Sequence, residues 1–160
     1  MDTRLKHIAS LASMQADYTV VDCGCDHGKV LYKLLIDNPD CKAIAIDKSA
    51  PSLDKARKLL ESFEDRATFF CSDGITCLGD KTYDVLIISG MGGHNIIDIL
   101  SDGKAKFDKI ILSPHTNVDL IRQWLIDNNY FISSDSVIQC KKKKYAIIVT
   151  HKHSEEICQP

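Results

Sequence analysis

The chain has 160 residues, is 44% hydrophobic and carries a formal net charge of -2, which suits one domain with a real core and not a surface that binds nucleic acid everywhere. Its longest apolar run, VLIISGM, is far short of the roughly 20 residues of a membrane-spanning helix, and MDTRLKHIAS lacks the apolar stretch of a signal peptide. A soluble, cytoplasmic chain folded as one domain over residues 1–160 is expected.

Leu5, Ile8, Ala9 and Ala12 recur at helical spacing, which predicts an opening helix at about 3–15. The period then changes. YTVVDC (18–23) reads as a buried strand, GKVLYKLLID (28–37) as a helix stopped by Asn38-Pro39, and KAIAID (42–47) as a second strand. Ser49 is an N-cap with Pro51 in the first turn of the next helix, whose Leu53, Ala56, Leu59 and Leu60 share a face.

ATFFC (67–71) is a third strand, ended by the turn signal Asp73-Gly74, and YDVLIIS (83–89) is a fourth. HNIIDIL is a short helix after GMGG. KIILS (109–113) is a strand and VDLIRQWLIDNN (118–129) a helix, in which Trp124 is expected to pack against the core. YFISSDSVIQC and YAIIVTHKH are two last strands separated only by the lysine run, a connection too short for anything but an antiparallel pair.

Alternating strands and helices imply a doubly wound, mostly parallel α/β sheet of seven strands, with ligands at the carboxyl ends of the strands. The terminal antiparallel hairpin makes it Rossmann-like in the manner of class I methyltransferases rather than of nucleotide dehydrogenases. Seven cysteines, an odd number with no C-x-x-C pair, fit reduced thiols. Cys23, Cys71 and Cys140 fall inside apparent strands and read as small hydrophobes. Cys25 with His27, or His151, His153 and Cys158, are the only combinations that suggest metal ligands. No second ligand pair at finger spacing joins them, so no metal is expected.

The loops describe the ligand. Gly24 and Gly28 follow the first strand and open a helix whose free N–H groups suit a carboxylate or another anion. A dinucleotide fingerprint would place a glycine two residues after the first, and here that position is Asp26. Asp22 and Asp26 repel a diphosphate but suit a ligand with an ammonium and a sulfonium, as S-adenosylmethionine has. Asp47 ends the second strand where an acid can accept both ribose hydroxyls, a contact common to both cofactor classes.

Further along, Ser72, Asp73 and Gly74 form a polar turn at which an adenine edge can be read. Gly90, Met91, Gly92 and Gly93 follow the fourth strand, where the backbone can approach a flat substrate, and Pro114 and His115 form the facing wall. Lys141, Lys142, Lys143 and Lys144, with Arg4, Lys6, Lys29 and Lys33, offer a local basic patch. The run is either a solvated turn or a phosphate contact.

Taken in order, Arg4-Leu5, DCGCDHG, AIAID, SDG, GMGG, LSPH, RQWL and KYAIIV make the chain resemble the bacterial tRNA methyltransferases that modify N1 of adenine 22, over nearly its whole length. The resemblance implies S-adenosylmethionine as cofactor, tRNA as partner and a monomer or weak dimer. It also implies a cofactor site of Asp22, Gly24, Cys25, Asp26, His27, Gly28, Asp47, Lys48, Ser72, Asp73, Gly74 and Gly90. The target adenine would be framed by Gly90 to Gly93, Pro114 and His115, and phosphates met by Arg4, Lys29 and Lys141 to Lys144.

Two departures stand out. Family members usually carry a further C-terminal helical hairpin thought to help hold tRNA, whereas this sequence ends at Pro160. Their turn after the fifth strand often reads Gln-Pro-Asn, and here it is Ser113-Pro114-His115. Acceptors other than tRNA, and a noncatalytic module that only binds the cofactor, are the competing readings, since a fold does not choose its acceptor.

Overall fold

A computed structural model describes residues 2–152. Its elements follow one another as α1 (Thr3–Ala12), β1 (Tyr18–Cys23), α2 (Lys29–Asp37), β2 (Cys41–Asp47), α3 (Ala50–Leu59), β3 (Ala67–Cys71), β4 (Thr82–Ser89), α4 (Gly93–Asp102), β5 (Lys106–Ser113), α5 (Val118–Asp127), β6 (Tyr130–Cys140) and β7 (Lys143–Lys152). Short 3-10 turns at Glu61–Arg66 and Thr76–Leu78 flank β3.

The strands form a single seven-stranded sheet in the order β3-β2-β1-β4-β5-β7-β6. β1 to β5 are parallel, and β7 runs antiparallel between β5 and β6. The doubly wound sheet with a terminal hairpin expected from the sequence is what is found.

Why the central strands are apolar throughout follows from the two layers that cover them. On one face Ile8 and Ala12 of α1, Leu31 and Leu34 of α2, and Leu53 and Ala56 of α3 pack against Val20, Val85, Ile87 and Ile111. On the other, Ile96 of α4 and Ile121 and Leu125 of α5 pack against Val21, Leu86, Ile88 and Leu112. Alternate residues of one strand therefore enter different cores. Trp124 joins the second core from its edge, its ring 5.9 Å from that of Tyr130. Arg122, in the RQWL stretch, forks onto Asp135 at 2.6 and 2.9 Å and ties α5 to β6.

Several boundaries differ from expectation for physical reasons. α1 stops at Ala12 rather than near residue 15, because Ser13 is already extended and only its N–H still bonds back to Ala9. α5 ends at Asp127, where Asn128 caps the last turn and Asn129 takes a left-handed φ of 68°. β7 begins at Lys143, so only Lys141 and Lys142 form the turn, while Lys143 and Lys144 pair with Cys140 and Gln139. Backbone pairing carries the strand through residues whose side chains are all polar. Cys71 is exposed and Cys140 half-buried, since each ends an edge strand; neither behaves as a core residue, unlike Cys23.

Candidate functional site

The sheet order reverses between β1 and β4, which leave the centre in opposite directions along the sheet. The loops at their carboxyl ends therefore separate and leave a crevice. A cavity of about 820 Å³ lies there, reaching from the end of β2 across β1 and β4 to His115 after β5.

The β1–α2 loop is pinned by backbone. The N–H groups of Gly24 and Cys25 both donate to the carbonyl of Ile46 on β2, at 2.7 and 3.0 Å. Gly24 holds a φ of +80°, and a Cβ there would meet Met91 Cε at 2.5 Å. A side chain would thus close the seam between the two central loops as well as strain the turn. Asp26 also takes a left-handed φ, 52°. Its N–H donates to Asp47 Oδ2 at 2.9 Å.

Two further loops are zipped to each other. The N–H of Gly90 donates to Ser113 O at 3.1 Å, that of His115 to Met91 O at 2.8 Å, and that of Gly93 to Thr116 O at 3.0 Å. GMGG and the turn after β5 are consequently joined into one wall, where the sequence had indicated only two facing sides of a crevice. On the opposite side, Ser72 N donates to Asp47 O at 3.1 Å, so the SDG turn is hung from the same aspartate that holds Asp26.

Asp22 is the charged side chain buried most deeply among the described residues that line the cavity. It is 3% exposed, and its Oδ1 is buried without a hydrogen-bond partner. Burial, then the neighbouring charges of Asp47 and Asp26, push its pKa up from 3.8 to about 7. A buried carboxylate oxygen with nothing to accept from is costly unless a donor arrives, and a cationic ligand is the donor that relieves both burial and repulsion. Burial likewise pushes up the thiols of Cys23 and Cys25, the Cys23 value to about 12. Cys25 is therefore held as a neutral thiol at 5% exposure.

Most sequence-predicted residues meet in this cavity: Asp22, Gly24, Cys25, Asp26, His27, Lys29, Asp47, Lys48, the SDG turn, Gly90 to Gly92 and His115, with Arg4. His27 Nε2 sits 3.4 Å from Asp26 Oδ1 on its rim. Of the residues expected to hold the cofactor or frame the acceptor, three are not brought to the lining. A Cβ on Gly28 would meet Ala56 at 3.1 Å, so this glycine serves the packing of α2 on α3. Gly93 fits against Thr116 and Asn117, and Pro114 is buried.

Lys141 to Lys144 stand exposed at the hairpin tip. Because β7 is antiparallel to β5, with Ile148 opposite Leu112, that tip lies at the same end of the sheet as the cavity. Lys6 lies exposed on α1, and Lys33 pairs with Asp37 at 2.7 Å on α2.

One side of the cavity, made by α4, carries no motif that stands out in the sequence. Asn95, Asp98 and Asp102 line it; their spacing of three and four residues puts them on one helical face, a signal that was present. As for metal, no group of three His, Cys, Asp or Glu among the described residues is placed to hold an ion. His151 instead sits 2.7 Å from Asp108 O through Nδ1 and 3.1 Å from Ser133 Oγ through Nε2. His153 and Cys158 lie outside the described residues. No helix among the described residues is long and apolar enough to cross a membrane.

This strand order, with its crevice between β1 and β4 and its antiparallel last pair, defines a class I methyltransferase fold. Residues 1–148 match the model of the methyltransferase domain family, and the chain belongs to that family. A Bacillus subtilis relative, the tRNA (adenine(22)-N(1))-methyltransferase, is 27% identical over 135 residues; the match covers 81% of this chain and 57% of that protein. Mycoplasma capricolum TrmK, solved with S-adenosyl-homocysteine, is 26% identical with a TM-score of 0.83, over 96% of this chain and 69% of the other. The Streptococcus pneumoniae protein Sp1610, solved with S-adenosyl-L-methionine, is 25% identical with a TM-score of 0.82, over 95% of this chain and 73% of the other.

Proposed function

We propose that this chain transfers a methyl group from S-adenosylmethionine to N1 of adenine 22 in tRNA. The observation that carries the cofactor half is the unpartnered Oδ1 of Asp22, buried beside Asp26 and Asp47 at the mouth of β1. Three carboxylates around that point repel a diphosphate and attract an ammonium and a sulfonium. Relatives solved with S-adenosyl-L-methionine and S-adenosyl-homocysteine at 25 and 26% identity support the same choice.

The ligand supplies an electrophilic methyl on a positively charged sulfur; the chain's own residues bind, orient and exclude water. Asp47 offers its remaining lone pairs to the ribose hydroxyls, its two oxygens already oriented by the N–H groups of Asp26 and Ser49. The turn Ser72 to Gly74 meets the adenine, and Asp22 the ammonium. Gly90 to Gly92 and His115 form the wall toward the acceptor, with Gly93 and Pro114 behind them as support.

N1 of adenine attacks with a ring lone pair, so the transfer needs no general base. Its demand is orientation: nucleophile and methyl carbon about 3 to 3.5 Å apart and in line with sulfur, which lowers the barrier by several kcal/mol or more. N1 lies on the pairing edge, so the base must be unpaired or turned out into the crevice. The zipped wall of GMGG and the β5–α5 turn suits a flat ring held in one plane. Lys29 and Lys141 to Lys144, at the cavity's end of the sheet, are the candidates for tRNA phosphates.

The test is calorimetry of the purified chain with S-adenosylhomocysteine and with NAD, followed by tritiated methyl transfer to transcribed tRNA. Binding of the sulfur nucleoside alone, and incorporation into tRNA, are expected. Preference for NAD refutes the cofactor assignment. Tight cofactor binding without incorporation refutes the acceptor.

A further inference from the structure

We infer that Arg4, laid on the ring of Tyr145, is the anion clamp of this cavity, taking the carboxylate of the bound sulfur nucleoside, with Tyr145 as the residue that positions it. The inference rests on the cofactor reading above and extends it to residues at opposite ends of the chain.

The guanidinium carbon of Arg4 lies 4.6 Å from the centroid of the Tyr145 ring, a cation–π contact. Its Nη1 is buried and has no hydrogen-bond partner. Among the described residues no carboxylate lies within ion-pairing distance of it. A guanidinium stripped of water on one side and given no counter-ion is held at a cost, and an anion on its open side offsets that cost. The described residues supply none, so the ligand does.

Charge in the cavity points the same way. Its lining holds six aspartates against one arginine and two lysines. Those acids welcome the ligand's cationic groups and repel its carboxylate, which therefore needs a fixed cation of its own. Lys29 and Lys48 are exposed and free to swing, whereas Arg4 is half-buried on a helix anchored by Ile8, Ala9 and Ala12. A planar guanidinium also matches a carboxylate with two parallel hydrogen bonds, which an ammonium cannot do.

The partial burial of Arg4 separates it from Lys141 to Lys144, which stand in solvent and suit an external phosphate. Tyr145 is placed to hold the clamp because it sits where β7 reaches the carboxyl end of β5. Its ring is 6.5 Å from that of His115. One aromatic residue thus touches both the cation and the acceptor wall.

Calorimetry of the whole chain with two probes tests this: S-adenosylhomocysteine, which has the amino-acid end, and 5'-methylthioadenosine, which lacks it. Arg4→Gln is expected to weaken the first by about 10- to 100-fold, the range of a charge-assisted hydrogen bond, and the second by less than about twofold. Arg4→Lys should recover part of the loss. Tyr145→Leu should weaken S-adenosylhomocysteine selectively by about five- to tenfold and Tyr145→Phe hardly at all, because the ring is what holds the cation. Equal weakening of both probes, or none, overturns the clamp. So does a variant in which only tRNA affinity falls, since Arg4 would then contact RNA. A wild-type protein that binds S-adenosylhomocysteine yet methylates no tRNA refutes the acceptor and leaves the clamp standing. One that binds neither probe refutes the clamp together with the cofactor reading.

Discussion

Asp47 holds Asp26 by a 2.9 Å hydrogen bond from the Asp26 N–H to Oδ2, while its other oxygen accepts from Ser49 N at 2.8 Å. One carboxylate at the end of β2 therefore fixes the turn after β1 and the start of α3, and still faces the cavity. Asp47→Ala removes the ribose acceptor and this brace together. S-adenosylhomocysteine affinity should fall at least tenfold by calorimetry, as expected for hydrogen bonds to a charged group. Stability should drop by about 1 kcal/mol, the scale of removing a helix cap. Unchanged affinity would remove Asp47 from the site.

The acceptor wall depends on a close backbone approach at Gly93. An added Cβ would lie 2.8 Å from Thr116 O and 2.9 Å from Asn117 O, both main-chain atoms that cannot rotate away. Gly93→Ala is expected to cost about 1–3 kcal/mol in denaturant unfolding, as overpacking does. It should slow methyl transfer while cofactor affinity stays within about threefold, because the added Cβ meets the turn after β5, whereas the β1–α2 loop is held to Ile46 of β2.

Asp22 makes the site sensitive to pH. Its pKa rises from 3.8 to about 7 in the folded chain, so between those values the folded state holds a proton that the unfolded state has released. Its contribution to stability is full below about pH 4 and is lost as pH climbs through about 7. The difference in melting temperature between wild type and Asp22→Asn, both without ligand, should therefore move against the wild type over that window. A ligand ammonium favours the ionised carboxylate. Wild-type S-adenosylhomocysteine affinity should accordingly rise from about pH 6 to about pH 8, and the variant should show a weak and flat response.

The lysine hairpin is predicted to act through phosphates. Lys142 and Lys144 stand exposed at the cavity's end of the sheet. The double reversal Lys142→Glu, Lys144→Glu should lower tRNA affinity and reduce the slope of log affinity against log salt by about 2, near one unit for each phosphate no longer neutralised. S-adenosylhomocysteine binding should be unaffected. An unaltered salt slope assigns the run to a solvated turn.

Much of the fold could be read because the central strands are covered on both faces: VVDC, AIAID and VLIIS announce buried parallel strands, and the polar residues that end them mark the crevice. Asp22, Asp47 and Asp73 were legible for that reason. The start of β7 was not, because pairing of Lys143 with Cys140 is a backbone interaction blind to hydropathy. Cys71 was misplaced because a strand's sequence does not say whether it lies at the sheet edge. Gly28 looked like a ligand glycine until α3 was packed against it, and no spacing rule could place Arg4 on Tyr145, 141 positions away.

The most direct measurement is mass spectrometry of tRNA incubated with the purified chain and S-adenosylmethionine, using transcripts with adenine or guanine at position 22. 1-Methyladenosine is expected in the fragment containing position 22 of the first transcript and none in the second. Methylation that persists when that adenine is replaced, or no methylation by a protein that binds the cofactor, would contradict the proposed function.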